Sequence, residues 1–90
     1  MAQIDFQRLT KTWTSFASVV GTVNTDTIYY IQNRGTDVLV ALELASEPTG
    51  STQAGVMVLP NNVVVYKKGT QDLYLRAFNS TCSINVTSED

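Results

Sequence analysis

Short apolar segments separated by turn-forming clusters are the feature of this sequence that most limits its fold. Gly in these clusters adopts positive φ at little cost, Pro presets φ, and Asn and Asp bond to nearby backbone. The clusters are "NRGTD" (33–37), "EPTGSTQAG" (47–55), "PNN" (60–62), "KKGTQD" (67–72) and "NST" (79–81). Between them lie segments rich in Val, Ile, Leu and Tyr, at residues 28–33, 37–45, 54–59, 62–67, 72–78 and 82–87. Turns at this spacing predict an all-β fold, either a compact antiparallel β-sandwich or a barrel-like meander.

Alternation within the segments assigns residues to faces, because successive side chains of a strand point to opposite sides. We expect the core-facing rows to be Val38, Val40, Leu42 and Leu44; Val63 and Val65; Leu73, Leu75 and Ala77; and Cys82, Ile84 and Val86. We expect the opposite rows to be solvated or lightly covered: Val64, Tyr66 and Lys68; Asp72, Tyr74 and Arg76; and Ser83, Asn85 and Thr87.

The segment at residues 37–45 is apolar on both of its rows. Its second row holds Leu39, Ala41 and Ala45, and only Glu43 interrupts it. A strand of this kind is covered on both sides, since an uncovered apolar face invites aggregation. Two covers are open at this point: the N-terminal part of the same chain, or a neighbouring subunit.

The N-terminal part carries a mixed signal. We expect residues 1–20 to form an extended arm or first strand, and residues 21–90 to form the sandwich core of a single domain. Apolar residues at helical spacing run through the arm: Leu9, Trp13, Phe16 and Val20. The Ser, Thr and β-branched residues of "KTWTSFASVV" favour a strand instead. We therefore predict a strand over residues 13–18, preceded by an irregular or briefly helical arm.

The size of the chain argues for self-association. Ninety residues form one domain, and a domain this small buries too little surface to be more than marginally stable. Small domains commonly gain stability from disulfides, a metal or a partner subunit. Cys82 is the only cysteine, so no internal disulfide can form, and the chain has no histidine to help bind zinc. We expect a homo-oligomer.

Charge and hydropathy argue against two classes of partner. The formal net charge is −2, and the largest basic cluster is Lys67-Lys68, whereas nucleic-acid-binding proteins concentrate positive charge on one face. Apolar runs such as "VLVAL" and "VVVY" are far shorter than the ~18 residues of a membrane span. The start, "MAQIDFQRLTKTW", lacks the apolar stretch of a signal peptide. We expect a protein made in the cytoplasm that binds neither nucleic acid nor membrane.

Residue types that carry chemistry are sparse. A nucleophilic triad normally needs a histidine base, which the chain lacks. Cys82 is in phase with Ile84 and Val86, so we interpret it as a core residue. Most carboxylates fall in turns or near the ends, where they commonly bond local backbone. No phosphate-binding glycine motif occurs. We predict no catalytic, cofactor-binding or metal-binding residue, and we expect a protein that is not an enzyme.

Aromatic residues suggest two kinds of surface. Tyr30, Tyr66 and Tyr74 would form a glycan-binding platform if all three faced solvent, although Tyr also simply favours strands with its hydroxyl in water. Large rings near a chain end often anchor a partner. Together with the second row of the 37–45 segment, they supply our interface candidates: Phe6, Leu9, Trp13, Phe16, Leu39 and Ala41.

Residues 28–87 carry a series of turn and strand marks. The stretches "IYYIQNRGTDVLVAL" and "EPTGSTQAGVMVLPNNVVVYKKGTQDLYLRAF" hold Gln32-Asn33 at a strand end, a Leu59-Pro60 turn, a turn at Gly69 and the strand Leu73-Tyr74-Leu75-Arg76. This pattern resembles the small β-sandwich virion proteins of tailed bacteriophages. The resemblance leaves the N-terminal arm unmatched, and no catalytic or binding residues carry over from it.

The resemblance implies a structural role in the virion. The expected function is that of a capsid decoration or cement protein that binds the major capsid protein, or other virion proteins, as a homo-oligomer. In this scheme the arm, residues 2–20, reaches onto a neighbouring molecule. One alternative is an adaptor for the tail, baseplate or fibre attachment, and another is a small glycan-binding β-sandwich module.

Overall fold

The polypeptide forms eight strands and one short helix within the residues described by the computed structural model, which are 2–50, 52 and 54–89, with the side chains of residues 2–6 left undescribed. The elements in chain order are β1 (Ala2–Leu9), β2 (Thr14–Ser15), α1 (Phe16–Val20), β3 (Ile28–Asn33), β4 (Leu39–Leu44), β5 (Val56–Val58), β6 (Val63–Lys67), β7 (Asp72–Ala77) and β8 (Cys82–Glu89). The strands predicted after residue 28 agree with β3–β8 to within a few residues at each end.

Two antiparallel four-stranded sheets pack face to face. The first sheet has the strand order β1-β8-β3-β6, and the second sheet has the order β2-β7-β4-β5. Most consecutive strands belong to different sheets, so the turns between them cross from one layer to the other. The prediction of an all-β antiparallel sandwich is confirmed.

The face of β4 that enters the core is the opposite of the predicted one. Leu39 and Ala41 lie between the sheets, whereas Val40 lies on the outer side of the second sheet with the half-buried Leu42 and Leu44. The prediction was wrong because both rows of β4 are apolar, so hydropathy alone does not identify the inner row. Strand pairing carries the same arrangement into β7, where Leu75 is opposite Ala41 and Tyr74 is opposite Leu42.

The row of β6 that faces the core is also the opposite of the predicted one. Tyr66 is buried in the core, and Val64 packs against that core, while Val63 and Val65 are exposed. Three successive valines make its two rows equally apolar, and the large ring of Tyr66 decides the phase. Its hydroxyl donates to the Gln71 carbonyl at 2.9 Å, which satisfies the polar atom of a buried side chain.

The predicted inner rows of β7 and β8 are confirmed. Leu73, Leu75 and Ala77 lie in the core, as do Cys82, Ile84 and Val86. In both strands the opposite row contains polar residues, so alternation identified the inner faces. The expectation that the outer row of β7 is solvated or lightly covered is wrong for Tyr74 and Arg76, which are buried beside Trp13.

The N-terminal residues pack on their own domain instead of extending away from it. Strand β1 pairs with β8, and the register shifts between Ile4 and Gln7. Helix α1 begins at Phe16, after Ser15, whose Oγ accepts from the Ser18 N–H at 3.2 Å. The strand predicted over residues 13–18 is therefore reduced to β2, which pairs with β7.

Candidate interaction surface

A short turn between β5 and β6 joins the two sheets at one side of the sandwich. The Asn62 N–H donates to the Leu59 carbonyl at 3.0 Å, and Asn61 adopts a positive φ of 72°. The Asn61 N–H also donates to the Asn33 carbonyl at 2.7 Å, and the Asn33 N–H donates to the Asn62 carbonyl at 3.0 Å. The turn is thereby attached to the end of β3.

The side chain of Asn33 completes this attachment from inside the protein. Its Nδ2 atom donates to the carbonyls of Asp37 and Val58, both at 2.9 Å. Its Oδ1 atom accepts from the Gly35 N–H and from the Cys82 thiol, both at 3.0 Å. Asn33 is fully buried, and these four contacts use all the hydrogen-bonding capacity of its amide.

The thiol of Cys82, which donates to Asn33, is also buried, and burial affects its ionisation. Burial raises the pKa of Cys82, with a smaller contribution from the charge of Asp37. A thiol of this kind is a weak nucleophile, because the thiolate is the reactive form. This supports the interpretation of Cys82 as a core residue.

Two unpaired strand edges lie side by side next to the β5–β6 turn. β6 is the last strand of the first sheet, and β5 is the last strand of the second sheet. Five large apolar side chains in and between these strands are 50–62% exposed: Val56, Met57, Leu59, Val63 and Val65. We call these five residues the apolar edge. The sequence pattern contains no signal for the apolar edge, because strand order decides which strands are edges.

A groove of about 220 Å³ opens between the two edges. Its lining includes Val56 and Val65 from the apolar edge and the core residues Ala41 and Leu73. Gly55, at the entrance of β5, also lines it and has φ +137°. A Cβ atom there would lie 2.6 Å from Val40 Cγ1, so the close approach of this segment to β4 requires glycine.

Most of the predicted interface residues lie inside the domain. Leu9, Phe16, Leu39 and Ala41 belong to the main core, so their assignment to an external interface is wrong. Phe16 makes edge-to-face contacts with two other core rings, whose centroids are 5.1 and 5.7 Å away. Phe6 lies outside the residues whose side chains are described.

Trp13 covers the outer side of the second sheet, where it is only 5% exposed. It packs with Val40 and Tyr74, and the guanidinium carbon of Arg76 lies 5.2 Å from its ring centroid. This arrangement answers the question raised by the doubly apolar β4 strand: the N-terminal segment of the same chain covers its outer row. The assignment of Trp13 as an anchor for a partner is therefore wrong.

A second concavity lies next to Trp13. It has a volume of about 470 Å³, and its lining includes Lys11, Thr12, Glu47 and Pro48. The Trp13 Nε1–H is buried and has no hydrogen-bond acceptor among the described residues.

The three tyrosines of the suggested glycan platform do not share one surface. Tyr66 is in the core, and burial is the main cause that raises its pKa. Tyr74 is buried beside Trp13 on the second sheet. Tyr30 is on the outer face of the first sheet, where its hydroxyl donates to Glu89 Oε2 at 2.6 Å and this bond raises its pKa. Because two of the rings are buried, the prediction of one exposed aromatic patch is wrong.

Asp37 connects two turns at the same end of the sandwich. Its Oδ2 atom accepts from the backbone N–H groups of Asn79 and Ser80 at 2.7 and 2.9 Å, and its Oδ1 atom accepts from the Val38 N–H at 2.8 Å. The bond from Ser80 is the largest cause that lowers the pKa of Asp37, and burial opposes it. The expectation that turn carboxylates bond backbone holds for this residue.

Within residues 2–50, 52 and 54–89, His, Cys, Asp and Glu side chains form no group of three or more that could hold a metal ion. Helix α1 has five residues, and no helix in the described part of the chain has the length and apolar character needed to cross a membrane. No protein-family model matches this sequence, and no curated protein or solved structure matches it either.

Proposed function

We propose that this chain is a non-enzymatic structural protein of a tailed-bacteriophage particle, a capsid decoration or cement protein that binds the assembled shell. The observation that carries the proposal is the apolar edge, in which five large side chains remain exposed on two adjacent strand edges. The resemblance of residues 28–87 to virion β-sandwich proteins supplies the phage context.

An exposed apolar surface of this kind is unusual for a protein that acts alone. Monomeric proteins rarely expose contiguous apolar patches, and larger patches commonly mark interaction sites. An unpaired strand edge adds backbone donors and acceptors that can bind another chain. A particle protein covers such a surface permanently once it is assembled.

Binding to a shell also suits a small and marginally stable domain. A partner that binds only the folded form stabilises that form by mass action. A shell that presents many copies of one site can hold an oligomer much more tightly than a single contact would. Stabilisation is mutual, because each bound copy also favours the assembled shell.

The structure changes which part of the chain is assigned to this role. Residues 2–20 do not reach onto a neighbouring molecule as the sequence suggests, because β1 pairs with β8, and Trp13 and Phe16 are buried in their own domain. The apolar edge replaces the arm as the surface that joins this chain to a neighbouring copy in the oligomer that binds the particle.

The test is to quantify the chain in gradient-purified particles of the phage that encodes it. We expect it at a fixed copy number per particle, and we expect Met57→Lys to lower that number. Thr22→Lys is the matched control, because it adds the same charge at an exposed position that is not part of the apolar edge. If the wild-type chain stays in the soluble fraction and is missing from particles, the proposal is wrong.

The same experiment locates the chain within the particle. A tail, baseplate or fibre-attachment adaptor would use the same apolar edge, so capsids and tails should be separated before measurement. Recovery with the capsids supports the decoration role, whereas recovery with the tails contradicts it.

A further inference from the structure

The backbone of β6 has a defined set of groups at its free edge. The bond from the Asn33 N–H to the Asn62 carbonyl shows that Asn62 faces β3. Bonded pairs alternate along an antiparallel ladder, so Val64 and Tyr66 also face β3. Val63, Val65 and Lys67 therefore direct their N–H and C=O groups away from the sheet, where no described strand pairs with them.

The opposite edges of the two sheets carry the features that normally prevent strand pairing. Charged residues, bulges and short length protect an edge. β1 contains Asp5 and Arg8 and has a register shift between Ile4 and Gln7, and β2 is only two residues long. β6 has an unbroken register with β3, and its single charge is Lys67 at its end. The contrast within one molecule indicates that the β6 edge is open for pairing.

From this contrast we propose that β6 pairs with β6 of a second copy of this chain, in antiparallel orientation about a two-fold axis. The residues whose N–H and C=O groups point to the free edge must lie opposite such residues of the partner, so that these groups can form hydrogen bonds. Val63 then lies opposite the partner's Val65, and Val65 lies opposite the partner's Val63. The two first sheets join into one continuous eight-stranded sheet.

The charge on β6 selects the antiparallel orientation. Lys67 then lies opposite the partner's Asn61, and the two Lys67 residues are separated by six positions, or roughly 20 Å. A parallel pair in register would instead place the two ammonium groups side by side, which is unfavourable. Val63 and Val65 of both copies meet at the centre of the interface, where no charged group has to be buried.

The same symmetry brings the second sheet into the interface. The two-fold axis of an antiparallel strand pair is perpendicular to the sheet, so the order of the layers is kept and β5 faces the partner's β5. Val56 and Met57 are exposed on that side of the molecule. A standard interface buries about 800 Å² per partner, roughly one sixth of the 5156 Å² of this chain. The five side chains of the apolar edge, each 50–62% exposed, form the apolar part of this interface.

The dimer is a property of the chain by itself and does not require the particle role. A dimer presents two copies of every remaining surface, which would strengthen attachment to a repetitive shell. Because the dimer is measured without particles, failure of this proposal and failure of the proposed function give different results.

Analytical ultracentrifugation of the purified chain over a wide range of concentrations tests the dimer. Val65 and Thr87 lie on either side of Tyr30 on the outer face of the first sheet, Val65 on the edge strand and Thr87 on the interior strand β8. We expect a dimer for the wild type and for Thr87→Lys, and a monomer for Val65→Lys, with unchanged circular dichroism in all three. A monomeric wild type overturns the proposal and leaves the edge to a different protein. A dimer that persists in Val65→Lys also overturns it.

Cross-linking tests the pairing without disturbing the fold, since both positions are exposed. A mixture of the Val63→Cys and Val65→Cys variants should form a disulfide-linked dimer on mild oxidation, because paired strands bring these positions within the range of a disulfide. Native Cys82 is buried and should not compete. Cross-linking that is no more efficient in the mixture than in either variant alone overturns the register proposed above.

Discussion

The Nδ2 atom of Asn33 donates a 2.9 Å hydrogen bond to the Val58 carbonyl, which joins the last residue of β3 in the first sheet to the last residue of β5 in the second. The same amide also binds the backbone of the β3–β4 turn and the thiol of Cys82. One buried side chain thus holds the two layers in register next to the apolar edge.

Replacing this amide should be among the most destabilising single changes in the chain. Asn33→Ala leaves several buried donors and acceptors without partners, and each costs about 1–3 kcal/mol. We expect a loss of roughly 3 kcal/mol or more in the free energy of unfolding, measured by urea denaturation. Gln32→Ala is the matched control, because Gln32 makes one exposed bond, to the Asn61 carbonyl. Equal losses for the two variants would contradict the role assigned to Asn33.

Trp13→Ala should unfold or severely destabilise the domain. It uncovers Val40 and Tyr74, and truncation of a buried Trp to Ala costs about 3–5 kcal/mol. Trp13→Phe keeps much of the cover and removes a buried N–H that has no described partner, so we expect a loss of only about 1 kcal/mol. Thermal denaturation of both variants gives the comparison. A stable, folded Trp13→Ala protein would contradict this role and would support Trp13 as an anchor for a partner protein.

Stability should fall in acid partly through Asp37. Its pKa is lowered by backbone hydrogen bonds in the folded state, so its ionised form stabilises the fold above the unfolded-state pKa, and this stabilisation is lost as pH falls through the folded-state pKa. In Asp37→Asn the decline in melting temperature from pH 7 to acid should be shallower than in the wild type. NMR titration of the carboxyl is the direct measurement, and a midpoint at the ordinary Asp value would contradict the structure.

Gly55→Ala should destabilise the protein, because φ is +137° and the new methyl would press on Val40 and the Ala41 carbonyl. We expect a loss of about 1–3 kcal/mol, as for other strained backbone positions. Gly69→Ala is the control, since a Cβ there meets nothing within 4 Å and its φ is not in the strained range. Chemical denaturation should show that the control is unchanged or slightly stabilised.

The strand boundaries after residue 28 could be predicted from sequence because the turns are chemically explicit. The Leu59-Pro60 turn with Asn61 at positive φ is one example. The faces of β7 and β8 were also predictable, since each has one apolar row and one polar row. The faces of β4 and β6 were not, because both of their rows are apolar and the choice depends on what covers them.

The N-terminal strand was missed for a different physical reason. The apolar residues Ile4 and Phe6 alternate, but Leu9 is out of phase with them, and the structure places a register shift between Ile4 and Gln7. A bulge of this kind hides the period of two on which strand prediction depends. Helix α1 was not predicted at residues 16–20, because Ser15, which caps its N-terminus, lies inside a segment rich in strand-forming residues.

The edge strands β5 and β6 belong to one continuous segment of twelve residues, 56–67, in which the chain turns at Asn61. A synthetic peptide of these twelve residues would therefore carry the exposed side chains of the apolar edge without the rest of the molecule. Such a peptide should compete for the β6 edge and keep the chain monomeric. Replacing the same twelve residues should change what this edge binds, while the core residues Leu75 and Ile84 stay in place.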